Sequence, residues 1–177
     1  MKSIMLSLAV GLCLAIPVAA EDAKPQTPPP APAAVAAAAA PATSHVLVTP
    51  MEIKWGDPPA VLPKGAQFAV MSGDPGAAGP FTIRLKIPAG YKIAPHWHPT
   101  DENVTVLSGS FSLGMGDTFE QKSMKALPAG GYAVLPAEMR HYAWSKTGAV
   151  VQVHGPGPFV INYVNAADDP SKAGTAK

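Results

Sequence analysis

Between residues 81 and 87 the side chains alternate strictly: Phe81, Ile83, Leu85 and Ile87 are apolar, and Thr82, Arg84 and Lys86 between them are polar. A period of two places the first set on one face of an extended strand and the second on the other. Glu102, Val104 and Val106 keep a single parity, and Val151 and Val153 alternate with Gln152 and His154 in the same way. These runs are short and are separated by PAG at 88–90, LSGS at 107–110, GMGD at 114–117, PAGG at 128–131 and LPAE at 135–138, all rich in turn-forming residues. The pattern predicts an all-β domain, an antiparallel sandwich or barrel. Only DTFEQKSM, 117–124, has room for a helical turn, with Asp117 as its N-cap.

The two ends of the chain break this pattern. Lys2, the apolar run 4–16 and the small residues Val18, Ala19 and Ala20 read as a secretory leader over residues 1–20, cleaved so that the mature chain starts at Glu21. A membrane anchor would need about twenty apolar residues, and here Glu21 and Asp22 follow the run directly, so no membrane span is expected after cleavage. Residues 21–44 are rich in Pro and Ala, too poor in bulky apolar groups to offset the entropy of ordering, and read as a disordered, semi-rigid tether. The folded domain is expected over 45–169, with a flexible tail at 170–177, and the protein is expected to be periplasmic or secreted.

Composition narrows the chemistry. Cys13, the only cysteine, falls in the leader, so the mature chain has no disulfide and no thiol nucleophile. Cleavage removes Lys2 alone among charged groups, leaving twelve basic against twelve acidic side chains, and with two arginines in the chain this argues against nucleic acid as a partner. There is no G-x-S-x-G elbow, and GMGD reads as a hairpin tip rather than a phosphate loop. Met115, Met124 and Met139 read as core filler rather than a soft metal site. The segment from Val46 to Val70 contains two extended pieces, HVLVT and QFAVM, that could pair across a homodimer.

Against a background of only 14% charged residues and five histidines, HWHPTDE at 96–102 is a dense polar cluster. On a strand, His96 and His98 share a face while Trp97 points away, and the Pro99-Thr100-Asp101 turn can bring Glu102 to the same point with Asp101 facing the other way. Two imidazoles and a carboxylate inside an apolar barrel are costly to bury unless they bind a cation, which makes metal ligation the economical reading. His141 opens a later strand and is the fourth candidate. His154 shares a face with Gln152 and His45 lies at the tether junction, so both are expected at the surface rather than in the site.

Residues 90–109, GYKIAPHWHPTDENVTVLSG, fit the first cupin motif, G-x5-H-x-H-x3-E-x6-G, at Gly90, His96, His98, Glu102 and Gly109. The second motif, G-x5-P-x-G-x2-H-x3-N, is matched by Gly130, Pro136 and His141, with Glu138 in place of its glycine and Ser145 in place of its asparagine. The chain thus resembles the cupin superfamily. The resemblance implies a small jelly-roll (double-stranded β-helix) barrel holding one divalent metal through His96, His98, Glu102 and His141, with Glu138 departing from the motif in the turn before the last ligand. Val104 and Val106 would face the metal across the barrel, and Glu138 and Arg140 could serve at its mouth as proton shuttle and anion anchor or be a solvated turn of opposite charges. No twin-arginine pair precedes the leader's apolar run, so the metal is taken up outside the cytoplasm, where affinity order favours copper and zinc, while two open octahedral positions suit iron, manganese or nickel. The family hosts oxygenases, decarboxylases and isomerases acting on small oxygenated molecules as well as non-catalytic binders and metal-dependent sensors, and both readings stay open. Export argues against a transcriptional partner of the kind that cupin-bearing anti-sigma factors have.

Overall fold

The computed structural model describes residues 45–172, all within one compact unit, Ser44–Lys177. The leader, the Pro/Ala tether, Cys13 and the end of the tail lie outside the described residues. Nine strands are present among the described residues: β1 Gln67–Ser72, β2 Gly79–Ile87, β3 Lys92–Trp97, β4 Glu102–Met115, β5 Lys125–Pro128, β6 Tyr132–Leu135, β7 His141–Trp144, β8 Ala149–Gly157 and β9 Asn162–Tyr163. All pair antiparallel in the order β1-β2-β8-β4-β7-β3-β9, with β5 and β6 also on β4. The helical content consists of short 3-10 turns, and none of the described helices is long and apolar enough to cross a membrane.

The alternation of the sequence sets the core. Phe81, Ile83, Leu85 and Ile87 of β2 face inward against Val151 and Val153 of β8 and Val104 and Val106 of β4, while Arg84 faces out and donates to Gln152 on the neighbouring strand. Each such buried side chain contributes about 1.5–3 kcal/mol relative to exposure, enough in aggregate to specify the register.

β4 closes the barrel and corrects the reading of LSGS as a break between strands. Its first half, from Glu102 to Thr105, pairs with β6 and β8; its second half, from Ser110 to Met115, pairs with β5 and β7. The chain passes from one sheet to the other without stopping, through a register shift between Val106 and Ser108 and a left-handed Gly109 at φ 72°. A side chain at Gly109 would run into the carbonyl oxygen of Gly148, so glycine here makes a bulge that lets one strand serve two sheets.

Two other expectations are corrected. The 3-10 turn in 117–124 covers Gln121–Ser123 with Glu120 at its N-cap; Asp117 instead accepts from Arg140 at 2.6 Å, across from it on the approach to β7. Met115 and Met139 are 53% and 40% exposed, at the end of β4 and in the turn before β7, and fill no core. In the segment from Val46 to Val70, HVLVT is exposed and irregular, while residues 67–72 form β1, held by β2 on one side and bridged through Phe68 to Gly56 on the other. At the C-terminus, Pro170–Lys172 forms a 3-10 turn.

Candidate metal centre

His96 lies on β3, His98 directly follows it, Glu102 opens β4 and His141 opens β7. The antiparallel register sets His96 opposite His141, and the turn at 99–101 returns Glu102 to the same interior point. One ligand atom from each of the three histidines lies within 4.8 Å of the other two, and these residues could hold a metal ion. Glu102 Oε2 lies 3.3 Å from His141 Nε2 and 3.4 Å from His98 Nε2. All four side chains are buried, with Glu102, the most accessible, at 8%. Asp101 faces the other way, as expected, and accepts the Ala137 backbone N–H.

The protonation of the rings follows from their backbone partners. The Nδ1 atoms of His96, His98 and His141 lie 2.7, 2.8 and 2.9 Å from the carbonyl oxygens of Ala94, Val160 and Met139. A carbonyl can only accept, so each Nδ1 carries the proton and, in the neutral ring, each Nε2 presents a lone pair to the interior. Nε2 of His98 is buried without a hydrogen-bond partner. Two such lone pairs then confront one carboxylate oxygen at distances beyond a good N–H···O bond, an arrangement that a shared cation resolves. Burial, reinforced by the adjacent His141 and His98, pushes His96 down to about 3, keeping it neutral. Burial works against the charge on Glu102, but hydrogen bonds and positive charge from the His141 and His98 edges, where those edges carry a proton, outweigh it and hold its carboxyl well below the usual carboxylate range.

Both motif departures are accommodated. Glu138 takes the conformation of the glycine it replaces, at φ 64°, and is the only non-glycine residue with positive φ among the described residues. Its N–H donates to the His98 carbonyl oxygen at 2.8 Å, tying the turn before His141 to the strand that carries the other histidines. Ser145, fully buried, donates through Oγ to the Ser110 carbonyl at 2.7 Å.

The four ligand candidates lie between two unequal spaces. On the inner side is a void of about 30 Å³, room for about one water, bordered by Glu102, His141 and Val104. On the outer side is a cavity of about 250 Å³ reaching His96, His98 and Glu102. Val106 is buried deeper in the barrel and borders neither space. Glu138 and Arg140 line a separate surface depression with Trp97, and Arg140 is paired with Asp117, both half exposed. His45 is exposed; His154 is only half-buried on β8, its Nδ1 sequestered without a partner, and takes no part in the cluster.

The mouth of the outer cavity is built from residues that carry no motif. Phe159 stacks on His98 with ring centroids 4.2 Å apart and planes at 17°, and it leans on Phe81 at 5.0 Å. Val61 and Leu62 reach the cavity from an irregular segment pinned by two tyrosines: Tyr91 donates to the Pro63 carbonyl at 2.6 Å and Tyr163 to the Val61 carbonyl at 2.8 Å. Burial pushes Tyr91 up to about 12 and raises Tyr163 as well, so both stay protonated donors.

The family model of the ChrR cupin-like domain matches residues 43–159. The chain belongs to this family. None of the curated proteins matches it. Among solved structures it is similar to the polyketide cyclase RemF of Streptomyces resistomycificus, with TM-score 0.58 and 18% identity over 73% of this chain and 92% of that one. It is also similar to an acetylacetone dioxygenase from Acinetobacter johnsonii, with TM-score 0.55 and 16% identity over 73% of this chain and 83% of that one. An RmlC-like cupin from Shewanella frigidimarina gives TM-score 0.50 and 16% identity over 64% and 91% of the two chains. At these identities the likeness establishes the cupin barrel, and the chemistry of this chain has to come from its own site.

Proposed function

We propose that this chain is an exported mononuclear metalloprotein in which His96, His98, Glu102 and His141 hold one divalent ion and present it to a small molecule entering the outer cavity. The observation that carries this reading is the orientation of the rings. Three Nδ1–H groups are committed to backbone carbonyls, and the Nε2 edges of His98 and His141 face the same Glu102 oxygen. When bound, the ion would supply Lewis acidity toward an oxygen of that molecule. The protein's own part is to fix the imidazoles through the carbonyls of Ala94, Val160 and Met139 and to set the Glu102 carboxylate between two of them. It also excludes water with the apolar walls of the cavity. Reaction on a small oxygenated molecule, of oxygenase, decarboxylase or isomerase type, is the use this arrangement fits best.

A second reading, metal-dependent ligand binding without turnover, is favoured by a cavity lining that, among the described residues, has no titratable side chain besides the ligand candidates.

Elemental analysis of the mature protein tests the metal site. Close to one divalent ion per chain is expected, as isolated or after dialysis against iron, manganese, zinc, copper or nickel; failure of all five to load would refute it. Cobalt substitution separates an open site from a closed one: azide or a small carboxylate is expected to change the cobalt spectrum, and an unresponsive tetrahedral spectrum would show a closed, structural site.

A further inference from the structure

The outer cavity selects its ligand by what its walls lack. Its polar side chains are His96, His98 and Glu102; the remainder is Pro, Gly and apolar groups such as Phe68, Ile83, Leu85, Val153, Phe159 and Ile161. Among the described residues no lysine, arginine, hydroxyl or amide side chain lines the space, so a sugar hydroxyl placed there would lose its hydrogen bonds at about 1–3 kcal/mol each, and a second charge would be buried without a partner.

The metal end adds a charge condition. Ligation requires neutral imidazoles and an ionised carboxylate, so a divalent ion held by this set keeps a single residual positive charge in an apolar surround. A monoanionic head brings that to zero; a neutral head leaves it uncompensated, and a dianion overshoots. Size adds the last condition. An apolar cavity of about 150 Å³ accepts benzene, so a space of about 250 Å³ suits about ten non-hydrogen atoms.

Resting on the metal reading above, we propose that the ligand of this site is a compact monoanion with an apolar body, an enolate, phenolate or carboxylate that carries its only charge at the metal-binding oxygen. Phe159 sets the width limit beside the ion. Its ring covers His98 on one side and borders the cavity on the other, so it is the wall that a broader body would strike.

The test uses the mature protein loaded with zinc, its content measured first, and calorimetric titration with four probes. Benzoate is expected to bind, with benzyl alcohol about tenfold weaker for want of the charge and succinate about a hundredfold weaker because its second carboxylate is held among the walls. Anthracene-9-carboxylate is expected not to bind the parent but to bind Phe159→Ala, while benzoate binding by that variant shows that it is folded and loaded. Benzoate should also fail to bind the metal-free protein. If zinc does not load, the metal reading fails at the first step. If zinc loads but succinate binds within threefold of benzoate, or benzoate does not bind at millimolar concentration, the ligand class is wrong and the metal site stands. Equal uptake of anthracene-9-carboxylate by parent and Phe159→Ala would remove Phe159 as the limiting wall.

Discussion

The two ends of the barrel are built on different principles. The inner end is regular strand, close-packed by Val104, Phe111, Leu113 and Val151 around a void of about 30 Å³. The outer end is irregular backbone, held in place by two tyrosine hydroxyls and one histidine, and it encloses about 250 Å³. The ligand candidates sit on the boundary, each ring fixed by a backbone carbonyl: His96 and Glu102 border both spaces, His98 the outer and His141 the inner. Rigidity is thus supplied from one side and access from the other, which is how a site can be both preorganised and reachable.

This contrast can be probed by truncating the same residue type on each side. Phe111→Ala, in the packed region, is expected to cost about 3–5 kcal/mol of stability, while Phe159→Ala, already bordering open space, should cost less than half as much. Chemical denaturation of the two variants with the metal removed provides the comparison, and equal losses would mean that the mouth is packed as tightly as the core. On the boundary itself, His98→Ala and His141→Ala are expected to lose metal affinity by at least about a hundredfold, whereas His45→Ala and His154→Ala keep it. A metal at a hundred times its dissociation constant stabilises the fold by about 2.7 kcal/mol, so chelator should lower the melting temperature of the parent and scarcely that of His98→Ala.

Acid should act through the same boundary. Folded His96 is held at about 3 by its burial and by the neighbouring His141 and His98, whereas in the unfolded chain it titrates near the ordinary 6.5. Between those values the unfolded state binds a proton that the folded state refuses, so the metal-free protein is expected to lose stability as the pH falls from about 6.5 toward 3. Glu102, held below the ordinary carboxylate range, adds a loss of the same sign at the acid end of that window. Urea midpoints measured on either side of the window check this, and a flat profile would mean that His96 is accessible to protons in the fold. The smallest expected effect is at the turn joining the ligand strands. Glu138→Gly relieves a left-handed non-glycine residue while the Glu138 N–H bond to His98 is kept, and should raise stability by about 1 kcal/mol with metal affinity unchanged.

The strand core was legible in the sequence because period-two alternation is a direct image of a half-buried strand, and Phe81 to Ile87 and Val151 to Val153 lie where it placed them. The clustering of His96, His98, Glu102 and His141 was legible because strand parity and motif spacing agreed on one point in space. β4 was misread as two strands, since a glycine that forms a bulge and one that forms a turn look alike in sequence. The mouth left no local trace. Val61 is positioned by Tyr163, 102 residues away, and Phe159 by the fold around His98; contacts between distant irregular segments impose no period on either one.

One hydrogen bond has a kinetic meaning. The carbonyl that orients His98 belongs to Val160, the residue after Phe159, so the segment that walls the cavity also aims one of the four ligand candidates. Any swing of that segment wide enough to let a bulky guest in or out releases the His98 ring at the same moment. Guest exchange and ion loss would then share one opening event, and a guest that holds the segment shut would lengthen the residence time of the ion beneath it.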